Sequence, residues 1–535
     1  MKSNRLLVLM PIFVAGAMAI GVYLGKNMGG QSQAALFSKK EFTQNDKLQQ
    51  IISYINSDYV DTVRSQEIVE ETISEILQNL DPHSYYIPKQ DYAAMNDPLE
   101  GEFDGIGIEF RIQEDTITVV QALAGGPSEE LGIMAGDRII AVDGENVTGK
   151  TINNNKVVKL LKGPKGTTVN VAIKRKGTKD AIDFAIRRDK IPVYSVEAEY
   201  MINESIGYVK VLRFAKDTHA EFMKAMRSLK KQGMTNLILD LRNNTGGYMN
   251  SAIEICDEFL PKGDLIVYTE GKARSKRKFF ATSKGELEDV KVAVLINEGS
   301  ASASEIVAGA LQDNDLGTII GRRSFGKGLV QEGMNWPDGS GVRLTVARYY
   351  TPTGRSIQKS YEEGIEEYNN EAYERYNNGE LLNSDSIDFP DSLKYKTKEG
   401  RVVYGGGGIM PDIFVPIDTV GSSYYLGSLN YQGIFFQFGF QYVDKNRKSL
   451  IKVYEADNFA KKFEVSSDLL QEFYNFAEEK GAEYDEKGAS TSETIIRQRL
   501  KASIARNLFR EKVFYQVVNE DDVVVKRATE KLSNN

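Results

Sequence analysis

Apolar residues run almost without interruption from Leu6 to Leu24, behind Lys2 and Arg5 and ahead of Gly25-Lys26. A helix needs about 20 such residues to cross a bilayer, so residues 1–26 are predicted to be a signal anchor. The preceding positive residues predict an N-terminus left in the cytoplasm and everything after Lys26 on the far side. Ala17-Met-Ala19 resembles a cleavage site, but the apolar run continues past it, which favours retention. From Glu41 to about Met95 the spacing turns helical: Leu48, Ile51, Ile52 and Ile55, then Ile68, Val69, Ile73, Ile76, Leu77 and Leu80. Two or three amphipathic helices are expected over 41–98.

Glycine then punctuates short alternating runs, Thr116-Ile-Thr-Val-Val120, Arg138-Ile-Ile-Ala-Val142 and Thr168-Val-Asn-Val-Ala-Ile173. They predict a small β-rich domain over 99–190, with 153–161 as its helix. From Ile206 the pattern alternates between buried strands (206–214, 236–241, 291–296, 317–321) and helices (220–231, the segment around Cys256, 302–311), which argues for an α/β core. The core is expected over 191–358 and again over 403–420, interrupted by a polar surface insertion at 359–402. Helical character over 421–535, clearest at 469–478 and 493–513, predicts an accessory domain. The acidic stretch at 519–522 fits solvated surface.

Composition narrows the chemistry. A net charge of -8 with no basic face argues against nucleic acid as a partner. The single cysteine, Cys256, permits no intrachain disulfide, and its apolar helical setting fits packing better than nucleophilic chemistry. There are two histidines. His83 lies in a turn and His219 at a helix start, so a zinc site or a Ser-His-Asp hydrolase is poorly supplied. No metal is expected, and any hydrolase here needs another base.

The densest chemical cluster is Asn297-Glu-Gly-Ser-Ala-Ser-Ala-Ser-Glu-Ile306, after a buried strand and at the opening of a helix. Any one of these serines could be an ordinary N-cap; three in alternation exceed that need. A serine in the first helical turn lies near exposed amides that suit a developing oxyanion. A lysine can serve as its base if burial depresses its pKa. Lys327, in Ser324-Phe-Gly-Lys-Gly-Leu-Val-Gln331, is the candidate, although a Gly-Lys-Gly turn alone also fits a surface loop or an anion site.

Ser302-Ala-Ser-Glu305, Phe325-Gly-Lys-Gly328 with Gln331, Thr345 through Tyr349-Tyr-Thr-Pro-Thr-Gly354, Asp240-Leu-Arg-Asn-Asn-Thr-Gly-Gly247 and Gly408-Ile-Met-Pro-Asp412 resemble, in order and spacing, the motifs of the C-terminal processing peptidases. The resemblance spans about Glu41 to Ile417. It implies Ser302 as nucleophile, Lys327 as base and Gln331 as the residue orienting Lys327. Oxyanion donors would be the Ala303 amide and one from Gly246 or Gly247. Thr245 stands where family members commonly have proline.

The β-rich domain resembles a PDZ domain, with Gly105, Ile106, Gly107 and Ile108 as its carboxylate-binding loop. The implied fold is multidomain α/β: N-terminal helices, a PDZ domain, a peptidase core of ClpP/crotonase-like type and a C-terminal helical extension. The implied activity is cofactor-free endopeptidase action on exported or envelope proteins with accessible C-termini. Its partners would be those proteins, the membrane and an adaptor or activator, with the catalytic part in the periplasm or another extracytoplasmic space. The rival readings are a tethered PDZ scaffold or holdase with an inactive peptidase domain and, more remotely, an acyl-thioester enzyme.

Overall fold

The computed structural model describes residues 11, 14–23, 44–387 and 390–534 and divides into two compact units, 1–75 and 76–535. In the first unit residues 14–23 are helical and Gln44–Asp58 forms an amphipathic helix. The anchor predicted at 1–26 falls largely outside the described residues. Among those described, no helix is long and apolar enough to cross a membrane.

The second unit is built on a six-stranded sheet ordered Val196–Met201, Ile206–Val211, Asn236–Asp240, Lys291–Ile296, Gly317–Gly321 and Ile413–Phe414. Its first pair is antiparallel and the rest parallel. The inner strands are largely apolar because both of their faces are covered. On one face Leu237, Leu239, Val292 and Val294 pack with Phe222, Met226, Ile255, Cys256 and Val307 of helices Thr218–Lys231, Met249–Phe259 and Ala303–Asp313. Cys256 is fully buried, and burial pushes its thiol pKa up, so it packs as a small apolar residue.

The opposite face is closed by the last helix, Val523–Ser533. Its Val524, Val525, Ala528 and Leu532 meet Tyr208, Ile238, Ala293, Leu295 and Ile320. The helical region predicted for 421–535 is therefore not wholly separate from the core: its final helix presents an apolar stripe that only the sheet covers. The stretch at 519–522 is likewise more than solvated surface. Asn519 is buried and donates to the Tyr200 hydroxyl at 2.8 Å, while Asp522 caps the last helix and pairs with Arg242.

The rest of this region, Tyr424–Tyr431, Ile434–Val453, Ala456–Lys462, Ser467–Glu479 and Glu486–Asn519, has its own core around Leu429, Phe438, Phe459, Phe473, Ile496 and Leu500. Helix Glu486–Asn519 is broken at Arg510, whose φ is +67°. This module touches the β-rich domain through Lys176–Asp444 at 3.4 Å, Arg510–Glu129 at 3.7 Å and the Arg111 guanidinium over the Phe436 ring.

The β-rich domain orders its strands Ile108–Gln113, Thr116–Ala122, Arg138–Val142, Thr168–Lys174 and Ile182–Arg187, leaving Ile108–Gln113 on an edge. Ile117, Val119, Ile139, Val171 and Ile173 form its core with Val157 of helix Asn154–Leu161, which Asn153 caps. A further sheet carries Tyr85–Ile87, Gly341–Tyr350, Leu265–Glu270 and Arg277–Phe280, with Leu329–Asn335 paired to Gly341–Tyr350. The polar insertion is tied down rather than loose. It forms helix Ile365–Asn377, from which Arg375 is buried and, with Arg323, clamps Glu380.

Candidate active site

Ser302 is the N-cap of helix Ala303–Asp313, reached by a sharp turn directly after strand Lys291–Ile296 and the loop that follows it. Its backbone torsions, φ +55° and ψ −112°, are rare for a residue with a Cβ; such strain costs on the order of 1–3 kcal/mol and collects at functional sites. Gly246 packs directly against this turn: a Cβ there would lie 2.7 Å from Ser302 Cβ and 2.9 Å from the Ala303 nitrogen.

Glu305, one helical turn on, holds the site together from inside. Its Oε2 accepts from the amides of Ser302 (2.8 Å) and Lys327 (2.9 Å), and its Oε1 from the Gly326 amide (2.7 Å) and the Ser324 hydroxyl (2.5 Å). Burial raises its pKa against the effect of these four donors. The serine-to-glutamate spacing at 302–305 is that of a capping box, the one local signal that marks this carboxylate. The Tyr349 hydroxyl lies 3.0 Å from the Ser302 carbonyl and 2.6 Å from the Lys327 carbonyl, sharing its single proton between the two segments.

Lys327 Nζ donates to Gln331 Oε1 at 2.9 Å, and no hydrogen bond joins it to Ser302. Burial pushes the Lys327 pKa down, Arg343 adds to that, and Glu305 and Asp81 oppose it. Gln331 follows an irregularity in the pairing of strand Leu329–Asn335 with Gly341–Tyr350, between Val330 and Gln331. Its amide nitrogen donates to the His83 carbonyl, which leaves its oxygen for Lys327.

That carbonyl is presented by a turn that no local sequence signal places here. The Asp81 carboxylate accepts from the His83 amide (2.8 Å) and the Ser84 amide and hydroxyl (2.8 and 2.6 Å), and docks on Thr345 at 3.1 Å. The His83 ring bonds the Tyr368 hydroxyl at 2.7 Å, and burial and the nearby Lys327 push its pKa down to about 4. His83 thus lies beside the site, but it is its carbonyl that meets Gln331. His219 pairs with Glu258 at 2.7 Å.

Ser302, Lys327, Gln331, Gly246 and Gly247 line one cleft of about 830 Å³, with Met249, Ile306, Leu329 and Val330 as apolar wall and Arg343 at one side. The two glycines differ. The Gly246 amide donates to Asn244 Oδ1 at 2.9 Å, whereas those of Gly247 and Ala303 make no hydrogen bond among the described residues.

Gly105 to Ile108 lie outside this cleft, in the β-rich domain. Gly107 has φ +73° and is packed against Ile191 and Gly126, leaving no room for a Cβ. The carbonyls of Ile106 and Gly107 accept from Ser128 and Leu123, while their amides have no partner among the described residues. A loop of free amides leading into an edge strand is suited to a carboxylate-ended extended peptide.

The peptidase family S41 model matches residues 205–367, a PDZ domain model 118–175, and a family of unknown function 425–510. A carboxy-terminal-processing protease of Bartonella bacilliformis is 38% identical over 345 residues, 63% of this chain and 78% of the relative. The carboxy-terminal processing protease CtpB of Bacillus subtilis is 34% identical over 372 residues, 67% and 76% of the two chains. The solved photosystem II D1 C-terminal processing protease is 26% identical, with a TM-score of 0.36, over 71% of this chain and 88% of its own. This multidomain α/β chain, with its PDZ domain, peptidase core and C-terminal helical region, belongs to the carboxy-terminal processing proteases of serine peptidase family S41.

Proposed function

We propose that this peptidase cleaves peptide bonds with a Ser302–Lys327 dyad after its PDZ domain has taken hold of a substrate C-terminus. The observation that carries the reading is the shared cleft, in which a desolvated lysine, fixed by Gln331, opens onto the same space as Ser302 and Gly247. A neutral Lys327 that donates one proton to Gln331 keeps its lone pair for the Ser302 hydroxyl. It takes the proton of the Ser302 hydroxyl as Oγ attacks the scissile carbonyl carbon, and the amides of Ala303 and Gly247 receive the oxyanion. Lys327 then returns the proton to the departing amine, leaving an acyl-enzyme. Water, losing a proton to Lys327, attacks the ester carbonyl, and Lys327 passes that proton to the departing Oγ, which restores Ser302 and frees the acid product. Gly246 is a spacer in this scheme, since its amide is already used.

The amides of Ile106 and Gly107 would hold the substrate's terminal carboxylate while its last residues pair along Ile108–Gln113. An export signal at 1–26 would place the substrates outside the cytoplasm, among exported or envelope proteins, with the enzyme tethered to the membrane. An adaptor or activator fits the same scheme as a further partner.

The test is degradation of a loosely folded protein with an apolar C-terminus beside the same protein with a charged end. The expected result is faster loss of the apolar-ended form and no loss with Ser302→Ala. Cleavage undiminished in Ser302→Ala overturns the dyad. Tail binding without cleavage by the parental protein points to the scaffold instead.

A further inference from the structure

The loop that carries Gly247 begins at Asp240, the last residue of strand Asn236–Asp240, and its base is held by buried charges. Asp240 is 1% exposed. It receives Arg242 Nη2 at 2.6 Å, Lys210 Nζ at 3.2 Å and the Tyr208 hydroxyl at 2.8 Å. Lys210 also donates to the Arg242 carbonyl at 2.6 Å, so it grips the loop's backbone as well. Burial works against an ionised Asp240, but Arg242 and Lys210 outweigh it and hold its pKa below the usual carboxylate range.

Two cations and one carboxylate leave this cluster with an excess positive charge. The fourth member comes from 280 residues away: Asp522 Oδ2 takes Arg242 Nη1 at 2.7 Å. Asp522 is fixed in turn because its other oxygen, Oδ1, caps helix Val523–Ser533 through the amides of Val524 and Val525. The guanidinium is thereby fastened on two sides, once to the strand end and once to the helix that closes the sheet.

We propose that Asp522 is a positioning residue for the hydrolysis, setting the oxyanion loop through Arg242 and giving the C-terminal helical region a part in the reaction. The proposal rests on the reading that Gly247 supplies an oxyanion donor. Loss of the Asp522 charge leaves Arg242 half-fastened and the cluster positively charged, and the loop that follows relaxes away from the Ser302 turn.

The measurements are kcat and KM on a short peptide substrate, the inhibition constant of a peptide boronic acid that forms a tetrahedral adduct on Ser302, and the melting temperature. Asp522→Asn is expected to lower kcat and boronate affinity by about tenfold each, short of the 10²–10³ of deleting an oxyanion donor outright, with KM within about twofold. Asp522→Glu, which keeps the charge, should recover most of the rate. Asn519→Leu, which breaks the neighbouring bond to Tyr200, should lower the melting temperature while leaving kcat and boronate affinity at parental values. Parental kcat and boronate affinity in Asp522→Asn, with or without a lower melting temperature, overturn the proposal. Equal rate losses in Asp522→Asn and Asn519→Leu overturn it too, since they mark general loosening. Ser302→Ala assayed alongside separates the two readings: parental activity there removes the dyad itself, whereas an inactive Ser302→Ala beside a parental Asp522→Asn removes only the positioning role.

Discussion

Lys327→Met is expected to reduce kcat by about 10²–10⁴-fold while leaving capture of a substrate tail by the PDZ domain unchanged. The substitution removes the proposed base and keeps the apolar stem, so the Gln331 oxygen loses its donor but the cleft stays filled. Activity near the parental level would show that another group takes the Ser302 proton.

In the proposed dyad the same lysine sets the pH profile. Only its neutral form accepts a proton, so kcat/KM should rise with pH through the Lys327 pKa. Burial, aided by Arg343, has moved that pKa below the ordinary lysine value of 10.5, so the limb lies at correspondingly lower pH. Arg343 is held at the cleft by a 2.7 Å bond from Nη2 to Asn96 Oδ1. Arg343→Gln removes its field, which raises the Lys327 pKa, moves the limb to higher pH and lowers the rate at neutral pH. A limb that stays in place would mean that the profile reports a different group.

Gly246→Ala should lower kcat by about 10²–10³-fold with a much smaller change in KM. Its φ of +100° is one that alanine rarely adopts, and its methyl would lie 2.7 Å from Ser302 Cβ and 2.8 Å from the Ala301 carbonyl oxygen. Either the Ser302 turn or the loop must give way, and both bear on the oxyanion. Gly263→Ala separates backbone strain from this collision. Its φ is +93°, but nothing lies within 4 Å of the new Cβ, so a slightly lower melting temperature with parental kcat is expected. Equal kcat in the two variants would remove the close approach of Gly246 from the mechanism.

The sequence by itself determined the fold class, the family, and Ser302 and Lys327 as candidates. The physical reason is that these are local signals. A strand covered on both faces, such as Lys291–Ile296, must be largely apolar; a PDZ loop needs glycine where φ is positive; and a serine opening a helix and a lysine between glycines stand out within a few residues of chain. Tertiary structure decided which groups surround them. Gln331 meets the His83 carbonyl across 248 residues and Arg242 meets Asp522 across 280, and neither periodicity nor motif encodes a partner so distant. Gly246 and Gly247 are alike in sequence; the bond from the Gly246 amide to Asn244 and the packing of Gly246 on the Ser302 turn tell them apart. The helical character of 421–535 was legible, but that the apolar stripe of helix Val523–Ser533 closes the six-stranded sheet depended on where that sheet left a face uncovered.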